Sequence, residues 1–532
     1  MSNALSRDLA RLVRQAEDAA PKGGRWRQRL HLCPPTGWLN DPNGLCQTGG
    51  TFHAFFQYAP FDAEGGLKLW GHCESDDLVG WRYVGAPLLA DQPFDCHGVY
   101  SGSAVVEDGR IRVLYTGNVK LEDGAYDYVT SGREANTVLV ESADGGRTFG
   151  RKHVVMTNAD YPADETCHVR DPKVWRVGEE GAGRGATCAG ADGEGAGSAA
   201  AVGADEAAPR YLMVQGARRA APAEVPSVPS RYCAAFGERA GVDVGEVLVF
   251  SSPDLSRWRL ERRVCSPERF GFMWECPDYF ELPGAAGGPV AHVLSVSPQG
   301  LEGGDWERRN VYQSGYFLLD APLLEASSPD PARFCLWDVG FDFYAPQTFL
   351  AKDGRRILVG WMGMPDEPAH VNKTLADGWQ HCLAVPREVT FEGGRVLQRP
   401  VRELARRRVR GERAAWTCER RGSVAFDLVV DGVGSSVVVR LAGELSLSWD
   451  EGAGWLELRF SREGADGVGG GRGVRREPVA ALRDLRVVGD ASSVEVFANG
   501  GELVMSTRYY PEEYSLAVDA PGAEVSLWDL EA

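Results

Sequence analysis

Alternating apolar and polar positions dominate this chain, and their period changes once, near the start. Leu5, Leu9, Leu12 and Val13 recur at helical spacing between Ala4 and Ala19. That spacing predicts a short amphipathic helix, ended by Pro21 and Gly23-Gly24. Beyond it the period shortens. From Trp38 to about Leu397, runs rich in β-branched and aromatic residues, such as Thr51 to Tyr58, Ile111 to Tyr115, Val247 to Phe250 and Arg356 to Trp361, are separated by Gly, Pro, Asp and Asn. Regularly spaced strands of this kind predict an all-β barrel, sandwich or propeller.

A loose repeat favours the propeller. Ser75 to Trp81, Ser142 to Phe149 and Ser252 to Trp258 each read Ser, an Asp-containing turn, then an aromatic, as the outer hairpin of a blade would. Residues 179–209 are mostly Gly and Ala with scattered acids, too poor in apolar surface to offset their ordering entropy. They are expected to form a mobile insertion whose removal leaves activity largely intact. The basic stretch around Arg406-Arg407-Arg408 reads as a solvated linker or short helix rather than a nucleic-acid patch. From about Arg410, further alternating strands and the hairpin signal Asn499-Gly500-Gly501 predict a separate β-sandwich.

Composition narrows the function. At 532 residues more than one domain is expected, and a formal charge of -18 disfavours nucleic acid or an anionic membrane surface as a partner. Twelve cysteines lie scattered, with no metal-ligand spacing among Cys and His, so His53, His72 and His97 are given structural roles and no metal is expected. The first 22 residues hold no apolar signal-peptide core and no uncharged run could cross a bilayer, which together predict a cytoplasmic protein.

The chemistry sits in three acidic motifs. In Trp38-Leu39-Asn40-Asp41-Pro42-Asn43-Gly44 the last four residues predict a tight, exposed turn that presents the Asp41 carboxylate. Asp171, in Arg170-Asp171-Pro172, and Glu275, in Trp274-Glu275-Cys276-Pro277-Asp278, also have a Pro within two residues, which puts all three acids on one rim of the fold. Singly, a turn, a local Arg170–Asp171 ion pair and a strand cap would explain them. Together they supply what glycoside cleavage needs: a carboxylate nucleophile, a protonated carboxylic acid, and a charge facing the oxocarbenium-like transition state.

With these motifs, and with Phe55-Phe56-Gln57-Tyr58-Ala59-Pro60, Trp70-Gly71-His72, Tyr100-Ser101-Gly102-Ser103, Asp342-Phe343-Tyr344-Ala345-Pro346-Gln347 and Gly360-Trp361-Met362-Gly363, the chain resembles the glycoside hydrolase family 32 β-fructosidases over nearly its whole length. The resemblance implies a helical extension at 1–28, a catalytic five-bladed β-propeller at 29–405 and a β-sandwich at 410–532. It also implies that Asp41 is the nucleophile, Glu275 the acid/base, and Asp171, held by Arg170, the transition-state stabiliser. Trp38, Asn40, Gln57, Trp70, Tyr100, Ser101, Arg170, Tyr344 and Trp361 match positions of the family's fructose pocket. No cofactor is implied. Segments such as Gly340 to Phe349 and Pro386-Arg387-Glu388 look most like the bacterial intracellular sucrases and sucrose-6-phosphate hydrolases, so the expected substrate is sucrose, sucrose 6-phosphate or a short fructooligosaccharide. A fructan hydrolase or fructosyltransferase using the same acids is the alternative, and a non-catalytic sugar-binding protein a remote one. Arg133, Arg218 and Arg219 are the candidates for contacting a phosphate.

Overall fold

A computed structural model describes residues 4–178 and 210–531, so the expected insertion at 179–209 lies outside the described residues. Five antiparallel sheets follow one another between Gly37 and Pro400. Their innermost strands are Gly37–Thr48, Val99–Glu107, Glu165–Arg176, Met273–Leu282 and Tyr344–Leu350. Each inner strand packs against the next and the fifth packs against the first, closing a five-bladed propeller. A short parallel pairing of Gly37 with Trp379 and Trp38 with Gln380 ties the ends of the ring together.

The loose repeat marks equivalent places. All three copies join the third and fourth strands of the first three blades. In each the Asp side chain takes up backbone N–H groups that the turn leaves free: Asp77 from Val79 and Gly80, Asp144 from Arg147 and Thr148, Asp254 from Ser256 and Arg257. The intervening residue is left-handed in every copy, at Leu78, Gly145 and Leu255.

At the start, helix Ala4–Ala19 buries Leu9 and Val13, while Leu5 and Leu12 stay exposed, a narrower apolar face than the sequence predicts. The basic connector forms a 3-10 helix, Arg402–Arg407, in which Leu404 is buried and Glu403 pairs with Arg355 at 2.7 Å. Beyond it lies the sandwich. Strand Ser515–Leu530 pairs with Ser436–Leu441 through its first residues and with Phe426–Asp431 through its last, so it belongs to both layers. Between the layers Leu428, Val439, Leu447, Val487, Val496 and Val518 form one apolar core. Among the described residues no helix is long and apolar enough to cross a membrane.

The two domains meet through a buried ionic seam. Arg472 grips Asp342 of the propeller with bonds of 2.6 and 2.7 Å. His31 bridges Asp490 and Glu495 at 2.9 Å each, and Arg387 bonds Glu495 at 2.7 Å and Asp338 at 3.0 Å.

Candidate active site

Each inner strand breaks register beside one common opening. The interruptions lie between Leu39 and Pro42, Val99 and Gly102, Arg170 and Lys173, Glu275 and Asp278, and Tyr344 and Gln347. These are β-bulges, which re-aim side chains at the cost of ladder hydrogen bonds. Pro42, Pro172, Pro277 and Pro346 sit in or beside four of them, where a missing N–H donor loses nothing. Asp171, Cys276 and Ala345, each just before its proline, have φ of 65°, 46° and 48°. A residue before proline avoids even the right-handed helical region, so this left-handed backbone is strained by roughly 1–3 kcal/mol per site. Gly216 makes room for one bulge: a Cβ there would lie 1.9 Å from the Trp274 carbonyl. The Asp41-Pro42-Asn43-Gly44 motif is therefore not an exposed turn but an irregular stretch inside strand Gly37–Thr48, buried except for the half-buried Asp41.

The opening is a pocket of about 350 Å³ whose walls include Asp41, Asp171, Glu275, Arg170, Trp38, Asn40, Gln57, Tyr100, Tyr344 and Trp361. Two expected pocket residues stand behind the wall. Trp70 is fully buried and donates its indole N–H to the Tyr100 carbonyl at 3.1 Å, bracing the second bulge. Ser101, also buried, donates to Asp41 Oδ2 at 2.5 Å.

Asp41 accepts three further contacts. Asn40 Nδ2 reaches Oδ1 at 3.1 Å, Gln57 Nε2 reaches Oδ2 at 3.4 Å, and the Cys276 thiol reaches Oδ2 at 3.8 Å. Trp38 Nε1 donates to Asn40 Oδ1 at 2.8 Å and fixes which way that amide points. Glu275 faces a different balance. Its carboxylate takes bonds from Tyr344 at 2.7 Å, Gln299 at 2.9 Å and Arg170 at 2.9 Å, yet burial outweighs them and, with the field of Asp41, pushes its pKa upward. Asp171 is raised for the same reasons: burial first, then the fields of Glu275 and Asp41, opposed by Arg170 and by the Cys276 amide at 2.9 Å. Two of the three acids about the common cavity are thus raised, as a group that must donate a proton requires.

Two expectations change. Arg170 binds Glu275, not its neighbour Asp171, because it reaches across to the fourth blade. Arg218 and Arg219 do not line the pocket and are committed to Asp243 and Glu246, each at 2.9 Å. Cys276, Gln299 and Lys68 were absent from the sequence-based site. Of these, Cys276 was signalled by its place between Glu275 and Pro277, whereas Gln299 and Lys68 carried no sequence signal. His53, His72 and Glu74 converge in one buried cluster with potential ligand atoms within 4.8 Å of one another. Most of these atoms are engaged: the two imidazoles bond each other at 3.1 Å and both Glu74 oxygens bind Arg147, while His72 Nδ1 has no partner among the described residues.

Comparison with known proteins fits this geometry. The profile of the glycosyl hydrolases family 32 N-terminal domain matches residues 31–198 and 224–400, and that of the family's C-terminal domain matches 460–528. The sucrose-6-phosphate hydrolase of Bacillus subtilis (strain 168) is 34% identical over 95% of this chain and 94% of its own. Raffinose invertase of Escherichia coli is 34% identical over 96% of this chain and 97% of its own. A solved Bombyx mori GH32 beta-fructofuranosidase superposes with a TM-score of 0.74 at 25% identity, covering 99% of this chain and 98% of the other. Matched in both domains and by relatives that cover nearly all of it, the chain belongs to glycosyl hydrolase family 32 and is a glycoside hydrolase.

Proposed function

We propose that this enzyme is a retaining β-fructofuranosidase that releases the fructosyl unit of sucrose or sucrose 6-phosphate through a covalent fructosyl-enzyme intermediate. Residues 29–405 form the catalytic unit in this reading, and 410–532 a supporting sandwich. The observation that carries it is the electrostatic split in the pocket: Asp41 is surrounded by donors, while Glu275 and Asp171 are pushed toward their protonated forms. Asp41 attacks the anomeric carbon as its carboxylate. Glu275 gives its proton to the leaving oxygen, then takes one back from the water that breaks the ester. Asp171 faces the fructosyl hydroxyls, and Trp38, Tyr100 and Trp361 offer flat apolar walls. Trp361 Nε1 is buried without a partner among the described residues and suits a sugar oxygen.

The relatives named sucrose-6-phosphate hydrolase and raffinose invertase support the substrate class. A cytoplasmic setting suits a phosphorylated sugar, which does not cross membranes unaided. The test is the anomeric configuration of the first fructose released, followed by NMR before mutarotation. Retention is expected, and initial release of the inverted anomer would overturn the mechanism.

A further inference from the structure

One wall of the pocket carries more positive charge than a neutral disaccharide requires. Lys68 lines the cavity beside Trp38, its Nζ 4.7 Å from the centre of that indole ring. Among the described residues Lys68 makes no ion pair or hydrogen bond with a carboxylate, and only the more distant fields of Asp41 and Asp62 support its charge. Arg170, the other pocket cation, is spent on Glu275.

Lys68 stands next to Tyr100. Both pack on Gly98, where a Cβ would lie 2.8 Å from Tyr100 Cε1 and 3.5 Å from Lys68 Cβ. Arg133, at the start of the third strand of the second blade, stands behind the cavity lining but within the electrostatic reach of Tyr100, Arg170 and Glu275. Its Nε is buried with no hydrogen-bond partner among the described residues. The lining also holds Asp366, which accepts from Tyr312 at 2.8 Å. Around Asp41, Asp171 and Glu275 the lining thus adds a cation, Lys68, from the first blade and an acid, Asp366, after the second strand of the fifth.

We propose that Lys68 and Arg133 form an anion-binding arc that holds the phosphate of a phosphorylated leaving sugar and sets a preference for sucrose 6-phosphate over sucrose. The inference rests on the β-fructofuranosidase reading above. Half-burying a cation without a bonded counter-ion is unfavourable, and desolvation lowers the Lys68 pKa to about 7. An arriving phosphate relieves that penalty. Lys supplies a compact point charge and Arg a planar fork that matches phosphate oxygens, so the pair suits a phosphate better than hydroxyls.

The experiment compares kcat/KM for sucrose 6-phosphate and sucrose in the full chain, in Lys68→Met, in Lys68→Arg and in Arg133→Met. The native enzyme is expected to favour sucrose 6-phosphate at least tenfold. Lys68→Met is expected to cut that ratio at least tenfold, chiefly through KM for the phosphorylated substrate. Arg133→Met is expected to cut it about fivefold, and Lys68→Arg to restore most of it. A ratio that is near one in the native enzyme, or that none of the variants moves, overturns the arc while leaving the fructosidase reading intact. Hydrolysis of neither sugar by native enzyme overturns the fructosidase reading itself.

Discussion

The pocket and the interdomain seam both bury several carboxylates, yet they treat the charge in opposite ways. At the seam nearly every acid has a cation and amide donors. Asp342 has Arg472 and the Arg508 amide; Asp490 has His31 and the amides of Arg29, Leu30 and His31. Burial works to raise their pKa values, but these partners bring Asp342, Asp490 and Glu495 below the ordinary range, Glu495 to about 2. Asp338, which shares Arg387 with Glu495, is the exception and is raised by burial. In the pocket Arg170 is bonded to Glu275 and reaches Asp171 only through its field, and both acids are raised. Burial alone therefore does not distinguish a working acid from a structural one. Incomplete compensation beside a cavity does.

Breaking the two regions should give opposite phenotypes. Asp41→Ala is expected to lower kcat by a factor on the order of 10⁴ or more, while the urea midpoint stays at or above its native value, because residues placed for chemistry are seldom optimal for stability. Retained stability with lost turnover is the signature of the pocket. Arg472→Met strands Asp342 in the seam and is expected to cost about 3–5 kcal/mol in urea unfolding, with kcat per folded molecule within about twofold. A loss below about 1 kcal/mol would show that the seam is not what joins the domains.

Finer changes sharpen the contrast. Tyr344 donates to ionised Glu275 and holds its pKa down, so Tyr344→Phe raises that pKa further. The alkaline limb of kcat/KM, where Glu275 loses its proton, is then expected to move to higher pH. A limb that stays put would remove Glu275 from that limb. The smallest effect concerns His31. Burial alone would lower its pKa, but bonds to Asp490 and Glu495 raise it from 6.5 to about 9. Its contribution to stability is present in full below 6.5 and is lost as pH rises through 9. Denaturant unfolding between pH 6 and 10 should show this decline in the native chain and not in His31→Gln.

Much of this was legible in the sequence, and the rest was hidden for physical reasons. Strand alternation and the Ser/Asp hairpin repeat depend on neighbours a few residues apart, and they located the blades. Asp41-Pro42-Asn43-Gly44 misled because a bulge in an inner strand needs the same residues as a turn: a proline without a donor and a glycine at φ of 53°. The Arg170–Glu275 pair links residues 105 positions apart, and local spacing favoured adjacent Asp171 instead. Lys68 was invisible because a lone Lys before a strand has no pattern; only the closed ring sets it against Trp38.

That closed ring has a consequence in time. Gly37 and Trp38, just before Asp41, pair with Trp379 and Gln380, about 340 residues later in the chain. At roughly 5–20 residues per second, a ribosome takes on the order of 20–70 s to traverse that interval. Throughout it the nascent chain already carries Asp41 but has neither the closing pair nor, for most of that time, Glu275. Activity should therefore appear late and all at once during synthesis, and a chain stalled in its fourth blade should hydrolyse nothing.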